Sequence, residues 1–376
     1  MEQARTLIVG GGIAGLSVAY HLGRSNSSSV VLLEREPALA AHASGQNAGI
    51  FRPLEPTPGV LALARRSRLT IDALFGERFA WFCPIGGLFV APDAALLHDL
   101  VRLARRAALR HVVLQHQEVV ARAPILDGGD ANVGLMTPDV GIIDVHGVVG
   151  SLAQAARAAG VAIATGCEVT RILARRRRVE GVELSDGHTL AAETVVIAAG
   201  AWSGALGASC GAEIPLVSLR RHLVSLAVAS EALTPIPVVW RLGDEVYLRP
   251  DHGGVLASPC DEEAWPPSAP PVNQAAVELL GAKLARLAPE FIEEAAVRRS
   301  WACLRTFAPD RLPVVGPDPR VRGLFWISGL GGAGMTIGVA AGEMVSMLIS
   351  RRRHPLAPAL GLARLLAGER AGVAAH

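Results

Sequence analysis

Three glycines near the start of the chain have the spacing of a loop that binds a dinucleotide. Residues 6–9 form a short apolar run that leads directly to Gly10, Gly12 and Gly15. In such a loop the first glycine permits a tight turn, the second lets the backbone approach a pyrophosphate, and the third lets the next helix pack closely on the sheet. The pyrophosphate then meets the N-terminal end of that helix, where unpaired N–H groups and the helix dipole attract an anion.

An acidic residue completes this motif. Glu34 lies 34 − 15 = 19 residues after Gly15, at the end of the apolar run 30–33. A carboxylate at this place accepts hydrogen bonds from the ribose hydroxyls of an adenosine and repels a 2′-phosphate. The motif therefore favours FAD or NAD over NADP. The predicted cofactor-binding residues of this unit are Gly10, Gly12, Ile13, Ala14, Gly15, Glu34 and Arg35.

The scarcity of two residue types restricts the remaining chemistry. Lys283 is the one lysine among the 36 basic residues, so a Schiff-base or P-loop lysine would have to be that residue. It lies in the segment 277–287, whose leucines recur at helical spacing, and we expect it on a solvent-exposed helix face. Tyrosine is also rare, and Tyr20 and Tyr247 are the two candidates for an active-site phenol.

Charge and cysteine content exclude further classes. The net charge is +2 and the basic residues are scattered, so we expect no nucleic-acid partner. The five cysteines show no Cys-x-x-Cys spacing, which argues against a disulfide framework and a metal site and favours a reducing compartment. The N-terminus lacks the pattern of a signal peptide. In the apolar segment 324–349, six glycines and Glu343 favour a buried loop and helix over a membrane span.

The pieces of a parallel sheet are spread along the chain. Residues 6–36 predict strand, helix and strand, and a buried strand is predicted at 194–200. Asp144 is predicted to cap a helix over residues 145–159. The segment 216–259 contains short β-like runs typical of an antiparallel sheet, and a helix is predicted near residues 274–287.

Seven segments occur in an order that resembles a known family. They are the glycine-rich unit with Glu34 and the segments 42–49, 141–144, 195–203, 246–251, 303–310 and 329 onward. Each is loose alone, but together they resemble the FAD-dependent amine and amino-acid oxidoreductases, which include D-amino-acid dehydrogenase, D-arginine dehydrogenase, glycine oxidase and sarcosine oxidase. The resemblance covers nearly the whole chain.

The resemblance implies an α/β fold with two interleaved domains. One is a Rossmann-like FAD-binding domain, and the other is a substrate domain built on an antiparallel sheet. The implied FAD-binding domain comprises residues 1–50, 141–213 and 301–376. The implied substrate-binding domain comprises residues 51–140 and 214–300.

The resemblance also assigns cofactor contacts. The segment 43–49 would lie along the flavin and the pyrophosphate, and Val169 would contact the adenine through its backbone. The segment 329–336 would face the flavin N1–C2=O edge, where a helix dipole stabilises the negative charge of reduced flavin. The implied contacts are Ala43, Ser44, Gln46, Asn47, Ala48, Gly49, Val169, Gly200, Trp202, Gly329, Gly331, Gly332, Gly334, Met335 and Thr336.

Four residues are candidates for binding the substrate. Arg305 matches the family arginine that binds the substrate carboxylate, a task that suits a planar, permanently charged guanidinium. Tyr247 matches a tyrosine that also reaches the carboxylate. Arg221 matches an arginine near the substrate, although the sequence does not decide whether Arg220 or Arg221 faces inward. Arg52 lies one residue from a carboxylate-binding arginine of sarcosine oxidase.

The implied reaction is oxidation of a small amino or imino acid, either a D-amino acid or an N-substituted amino acid. It would give the imine by hydride transfer to flavin N5. The stretch 254–257 lacks the lysine that speeds the reaction of sarcosine oxidase with oxygen. A dehydrogenase that passes electrons to a quinone, another acceptor or a partner subunit is therefore favoured. We expect a cytoplasmic location, with attachment to the inner face of a membrane as the alternative.

Several alternatives stay open. Cys303 matches the cysteine that joins flavin covalently in sarcosine oxidase, but a free cysteine is more often a small buried apolar residue, so non-covalent FAD is favoured. A 2-hydroxy-acid dehydrogenase would need His42 or His222 as the base for the hydroxyl proton. A flavin subunit of a larger electron-transfer complex is the second alternative, and a NAD-binding module without flavin is the third.

Overall fold

Two large sheets organise the fold, which the computed structural model describes over residues 3–25, 29–55, 57–76, 80–228 and 236–366. The first sheet has eight strands: β1 (Gln3–Val9), β2 (Val30–Leu33), β9 (Ala162–Ala164), β10 (Val169–Arg175), β11 (Arg178–Leu184), β12 (Thr189–Ile197), β19 (Val314–Pro317) and β20 (Leu324–Ser328). Strands β9, β2, β1, β12 and β20 pair in parallel in that order. This parallel centre confirms the predicted α/β fold, and β10, β11 and β19 add antiparallel pairs.

Helices α1 (Ile13–Arg24), α5 (Val145–Ala158) and α9 (Gly334–Ile349) pack in one apolar core with residues of this sheet. The predicted cap of α5 is present, since the Asp144 carboxylate accepts a hydrogen bond of 2.8 Å from the Gly147 N–H. Helices α1 and α9 approach closely at Gly342, where a Cβ atom would lie 2.4 Å from the Ser17 side chain. Helix α9 belongs to the predicted buried segment, and no helix within the described ranges is long and apolar enough to cross a membrane.

The second sheet has nine strands: β5 (Gly87–Ala91), β6 (Val112–Gln115), β7 (Val133–Thr137), β13 (Val217–Ala227), β14 (Val238–Arg241), β15 (Val246–Asp251), β16 (Gly254–Ser258), β17 (Glu263–Ala264) and β18 (Ala296–Phe307). Its pairs are antiparallel apart from β14 with β5, which run parallel. A small third sheet joins β3 (Ile50–Phe51), β4 (Phe82–Cys83) and β8 (Gly141–Ile143). The remaining helices are α2 (Pro58–Phe75), α3 (His98–Arg106), α4 (His116–Arg122), α6 (Ser203–Ala208), α7 (Gln274–Leu287), α8 (Pro289–Glu294) and α10 (Ala357–Leu360).

Strand pairing bears on the proposed domain division. Strand β18 pairs with β13 along its whole length, from Ala296 opposite Ala227 to Phe307 opposite Val217. The boundary predicted at residue 301 therefore falls inside one strand of the second sheet. Continuous pairing holds residues 301–307 in this sheet, although the chain then returns to the first sheet through β19. In our proposed division, the last FAD-binding segment accordingly begins after Phe307.

The prediction for Lys283 is wrong. Its side chain is buried, with 8% of the residue's surface exposed. Residues 280, 283, 284 and 287 recur at the i, i+3, i+4, i+7 spacing that defines one face of a helix. Lys283 therefore shares the buried face of α7 with Leu280, Leu284 and Leu287.

Candidate cofactor and substrate site

A cavity of about 770 Å³ is lined by residues of both large sheets. Most of the predicted site residues meet there, although they come from segments far apart in the chain. Those that line it are Gly10, Gly12, Ile13, Ala14, Glu34, Arg35, Ala43, Ser44, Gln46, Asn47, Ala48, Arg52, Val169, Gly200, Trp202, Arg221, Tyr247, Cys303, Arg305, Gly329, Gly331, Gly332, Gly334, Met335 and Thr336. Gly15 and Gly49 lie outside this lining.

The first turn has the close packing that its glycines predict. Gly10 adopts φ +112°, a conformation that residues with a Cβ atom rarely adopt, and a Cβ there would lie 2.5 Å from the Ala198 carbonyl oxygen. A Cβ atom on Gly15 would lie 1.9 Å from the Gly10 carbonyl oxygen. Gly15 thus acts through the approach of α1 to the turn rather than by lining the cavity. Strand β1 and helix α1 are thereby fixed at the angle that aims the helix N-terminus at the cavity.

Ser44 joins this helix N-terminus to the segment 43–49. Its Oγ accepts a hydrogen bond of 3.0 Å from the Ile13 N–H, and a Cβ on Gly12 would lie 2.9 Å from the same oxygen. Asn47 braces the segment, since its Oδ1 accepts from the Gly49 N–H at 2.7 Å and its Nδ2 donates to the Ser44 carbonyl at 2.6 Å. Gly49 therefore shapes the loop from behind the lining. The arrangement leaves small side chains and backbone facing the cavity.

The Glu34 carboxylate is held by backbone donors. Its Oε2 accepts from the Gly11 N–H at 2.6 Å and its Oε1 from the Glu36 N–H at 2.8 Å. Each carboxylate oxygen has two lone pairs, so each can also accept a hydrogen bond from a hydroxyl group. The carboxylate lines the cavity, where the motif predicts the ribose of the cofactor.

Trp202 and Arg35 form the wall beside Glu34. The Arg35 guanidinium lies 3.9 Å from the centre of the Trp202 ring, and the His42 ring lies 4.8 Å from the same tryptophan. The His42 Nε2 is 2.9 Å from the Glu36 carboxylate. The His42 hydrogen bond holds the pKa of Glu36 below its usual range. His42 therefore lies beside Trp202 and Glu36, close to Arg35, in the wall of the cavity.

The N-terminal end of α9 forms another wall. A Cβ atom on Gly332 would lie 3.0 Å from the Arg305 guanidinium, so the backbone and this cation approach closely because the residue is glycine. Thr336, in the first turn of α9, accepts a hydrogen bond of 3.3 Å from the Arg52 N–H. The positive end of a 16-residue helix thus lies next to the substrate-side arginines.

Arg305 is the least neutralised cation of the cavity. Its Nη2 donates a hydrogen bond of 3.2 Å to the Tyr247 hydroxyl. Among the described residues, no carboxylate lies within 4 Å of its guanidinium, whereas Arg221 pairs with Glu262 at 2.9 Å. Burying a guanidinium without a counter-ion costs free energy. An anion that binds to it offsets this cost through charge-assisted hydrogen bonds.

The structure places Arg221 in the cavity and Arg220 on the opposite face of β13. Arg221 lines the cavity, while the Arg220 guanidinium lies 4.0 Å from the centre of the Trp265 ring and pairs with Glu263. Successive side chains of a strand point to opposite faces. Strand register therefore decides the alternative that the sequence left open.

Tyr247 and Arg52 are linked through a residue that sequence reasoning missed. The Tyr247 ring stacks on Trp240 at 4.7 Å between ring centres, and the Arg52 guanidinium lies 4.6 Å from the centre of the Trp240 ring. Arg52 also donates a hydrogen bond of 3.2 Å to the buried Glu55. The spacing of Arg52 and Glu55 is a weak signal for such a pair, whereas nothing local distinguishes Trp240 from a packing residue. Glu262, the partner of Arg221, was missed in the same way.

A family model described as FAD dependent oxidoreductase (DAO) matches residues 5–348. The chain belongs to this family. FAD is the cofactor of the family, and the residues fit it: a glycine turn at a helix N-terminus, an oriented Glu34 and a cavity bounded by backbone and small side chains.

Known members of the family cover most of this chain. Human mitochondrial sarcosine dehydrogenase is 28% identical over 371 residues, which are 94% of this chain but 40% of that protein. Glycine oxidase of Pseudomonas putida is 30% identical over 371 residues, which are 94% of this chain and 97% of that protein. The structure of glycine oxidase from Geobacillus kaustophilus superposes with a TM-score of 0.81 at 26% identity, covering 96% of this chain and 99% of the other.

Cys303 and His222 are both buried, but only Cys303 of the two lines the cavity. Burial raises the pKa of the Cys303 thiol, although Arg305 opposes this effect. Covalent attachment needs a thiolate, so the shift supports our prediction of non-covalent FAD. The His222 Nδ1 lies 2.7 Å from the Asp261 carboxylate, and its Nε2 accepts a hydrogen bond of 2.8 Å from the Asn273 N–H. Both ring nitrogens are therefore engaged.

Proposed function

We propose that this chain oxidises a small amino acid or N-substituted amino acid to the imine, with FAD as the oxidant. The observation that carries the proposal is the buried Arg305 guanidinium, which has a phenol but no carboxylate as its partner among the described residues. A substrate carboxylate supplies the missing anion. The amine next to that carboxylate then enters the cavity shared with the cofactor-binding residues.

The chain's residues divide the work of holding FAD. Gly10, Gly12 and the start of α1 would receive the pyrophosphate, and Glu34 the ribose. The N-terminal end of α9 would lie at the flavin, next to Arg305. Bound flavin supplies the oxidising chemistry, because it accepts the electron pair that leaves the substrate. The protein supplies orientation and exclusion of water.

Arg305 and Tyr247 would bind the carboxylate together. The Tyr247 oxygen accepts a hydrogen bond from Arg305 and also interacts with the buried Ser258 hydroxyl, and its own O–H can then donate to a substrate carboxylate. Burial raises the pKa of Tyr247, so the phenol keeps this proton at neutral pH. A planar guanidinium and a hydroxyl donor fix the carboxylate in one orientation. Arg221, already paired with Glu262, contributes positive charge rather than the principal contact.

The histidines favour an amine over a 2-hydroxy acid as substrate. Oxidation of an alcohol needs a base to take the hydroxyl proton, while a neutral amine reacts without one. His222 does not line the cavity, and both of its nitrogens have partners. His42 is bonded to Glu36 at the nucleotide end. Neither candidate base has the position that hydroxy-acid oxidation needs.

The placement of lysine favours a dehydrogenase over a fast oxidase. Strand β16 (Gly254–Ser258), which matches the position of the oxygen-activating lysine in sarcosine oxidase, has none. The Lys283 ammonium is instead bonded to the Glu245 and Pro259 carbonyls. We propose that electrons pass to a quinone or another acceptor. A flavin subunit within a larger complex is a second candidate, because the chain spans 40% of the length of human sarcosine dehydrogenase.

Anaerobic mixing of the FAD-loaded protein with D-, L- and N-methyl amino acids tests the proposal. We expect at least one of these amino acids to bleach the flavin absorbance. In Arg305→Leu, the substrate concentration that gives half-maximal bleaching should rise about a hundredfold. The reason is that losing a charge-assisted bidentate contact costs about 3 kcal/mol. Arg298→Leu is the matched control, because Arg298 lies on the same strand but is exposed. A flavin that only 2-hydroxy acids bleach would overturn the proposal. So would equal effects of the two variants.

Reoxidation distinguishes the electron acceptors. After substrate reduction, we expect a water-soluble quinone to restore the flavin absorbance much faster than dissolved oxygen does. Fast recovery with oxygen alone would show an oxidase. Slow recovery with every small acceptor would favour the flavin subunit of a complex.

A further inference from the structure

The sole lysine of the chain lies behind the wall that carries the substrate-side residues. Lys283 projects from the buried face of α7, which it shares with Leu280 and Leu284. These leucines pack in one apolar core with Val246 and Leu248 of β15. Tyr247, between those two strand residues, points to the other face and lines the cavity. The ammonium itself does not line the cavity, although Glu245, whose carbonyl it bonds, does.

Three acceptors surround the ammonium. Lys283 Nζ donates to the Glu245 carbonyl at 2.8 Å and the Pro259 carbonyl at 2.8 Å, and it lies 2.9 Å from the Asp244 carboxylate. An ammonium has three donors, so this set satisfies all of them. Burying an ammonium is costly unless it is fully bonded. An apolar side chain would suit the neighbouring leucines better, which indicates that the bonds themselves are the reason for a lysine here.

The two carbonyls mark the point where β15 and β16 stop pairing. Tyr247 opposite Ser258 is the last pair of this ladder. Beyond it, Pro259 has no N–H to donate, so the strands cannot continue their own hydrogen bonds. Lys283 replaces the missing backbone hydrogen bond between the strands, because its ammonium donates to one carbonyl from each strand end.

Each strand end carries residues that contact the proposed carboxylate site. On one strand, Tyr247 follows two residues after Glu245. On the other, Cys260 turns the chain with φ +56° and leads to Asp261 and Glu262. Asp261 bonds both the N–H and the imidazole of His222, and Glu262 pairs with Arg221. The separation of the two strand ends therefore sets the positions of Tyr247 and Arg221 relative to each other.

We propose that Lys283 is a positioning residue for the substrate carboxylate. It ties together the ends of β15 and β16 and thereby fixes Tyr247 and the Glu262–Arg221 pair around Arg305. The inference rests on the proposed function, since it assumes that a carboxylate binds at Arg305. It assigns Lys283 a role in substrate affinity without any contact to the substrate.

Binding of simple carboxylates tests this role without turnover. Acetate and benzoate are titrated into the FAD-loaded protein, and the change in the flavin visible spectrum gives Kd. In Lys283→Met we expect Kd to rise about tenfold, whereas the limiting rate of flavin reduction by a saturating amino acid changes less than threefold. We expect Kd to change more than the rate because weaker carboxylate binding destabilises the bound ground state and the transition state equally. Lys283→Gln, which retains two N–H donors, should recover part of the affinity.

Arg286→Met is the matched control. Arg286 lies three residues further along α7, is exposed, and pairs with the same Asp244, so its loss removes an equal charge but neither carbonyl bond. We expect its carboxylate Kd to match that of the wild type. Unchanged Kd in Lys283→Met, or an equal rise in Arg286→Met, would overturn the positioning role.

The result also separates this role from the proposed function. A wild-type protein whose flavin spectrum responds to no carboxylate contradicts the anchor at Arg305 itself. Wild-type binding that Lys283→Met leaves unchanged contradicts the positioning role alone. If Lys283→Met does not retain FAD, Lys283→Gln carries the comparison: a Kd above the wild-type value supports the positioning role, and a wild-type Kd overturns it.

Discussion

At the scale of single residues, the substrate end of the cavity depends on which charges have partners. Arg221 and Arg305 come from neighbouring strands and line the same cavity. Glu262 pairs with both Arg221 and Arg311, whereas Arg305 has only the Tyr247 hydroxyl as an observed polar side-chain partner among the described residues. A desolvated cation gains most from a new anion when no internal anion competes. In our proposal, this difference makes Arg305 the anchor of the substrate carboxylate and Arg221 a supporting charge.

The phenol of Tyr247 should contribute to affinity more than to rate. In Tyr247→Phe the ring can still stack on Trp240, but the donor to the carboxylate is gone. We expect KM for the amino acid to rise about tenfold with kcat changed less than threefold, as for loss of a hydrogen bond worth about 1.5 kcal/mol. Steady-state kinetics with an artificial quinone measures both constants.

The other tyrosine provides the control. Tyr20 is buried in α1 and does not line the cavity, so Tyr20→Phe should leave KM unchanged. A fall in kcat with constant KM in Tyr247→Phe would instead indicate that the phenol acts in the chemical step.

At the scale of elements, we expect the contact between β1 and α1 to determine whether a pyrophosphate can bind. Gly15 lets the helix approach the Gly10 carbonyl, and the same approach aims the helix N-terminus at the cavity. Ser44 fixes the opposite side of this site by bonding the Ile13 N–H. The geometry of this predicted pyrophosphate site therefore depends on the distance between β1 and α1 as well as on the residues that line the cavity.

Gly15→Ala should weaken FAD binding. The added Cβ would lie 1.9 Å from the Gly10 carbonyl oxygen, so α1 must move away from the turn. We expect the Kd of FAD to rise by a factor of about 5 to 150, since relieving such an overlap costs about 1 to 3 kcal/mol. Fluorescence quenching of FAD added to apoprotein measures this Kd.

Gly150→Ala is the comparison for a helical glycine without a close neighbour. A Cβ at Gly150 meets nothing within 4 Å, and alanine favours the helix. FAD affinity should stay at the wild-type value. Equal affinity of both variants would show that the approach of α1 is not required.

At the scale of the whole molecule, the cavity lies where the two large sheets meet. Its lining includes Gly10 from the first βα turn and Tyr247 from the second sheet. The segment 43–49 is bonded from the second sheet as well, because the Arg249 Nε donates to the Ala48 carbonyl at 2.5 Å and the Trp301 Nε1 to the Gln46 carbonyl at 3.0 Å. A ligand that fills this cavity contacts both sheets and should stabilise them together.

Removal of FAD should therefore lower the thermal stability of the entire chain. At a free FAD concentration a thousand times Kd, binding adds about 4 kcal/mol to the free energy of unfolding. We expect Tm to rise by roughly 5 to 10 °C between the apoprotein and that concentration. Differential scanning calorimetry measures the shift.

NADP is the control ligand for this measurement. Glu34 should repel its 2′-phosphate, so Tm should not change at the same concentration. A Tm that FAD leaves unchanged would contradict binding between the sheets.

The sequence was sufficient for features whose causes are local. The glycine spacing, the following helix and Glu34 predicted the first βαβ unit, because a tight turn and a close helix depend on neighbouring residues. The Asp144 cap and helix α7 are predictable for the same reason. The family resemblance, which depends on the order of such local segments, extended the prediction to Arg305, Tyr247 and the general fold.

Only the tertiary structure decided which charged groups meet. The register of β13 turned Arg221 inward and Arg220 outward. The docking of α7 buried Lys283 against two strand ends, although its helical position already matched the leucine face. The pairing of β18 with β13 carried residues 301–307 into the second sheet. These outcomes depend on contacts between residues distant in the chain, and the free energy of a buried charge is set by the partners that folding brings to it.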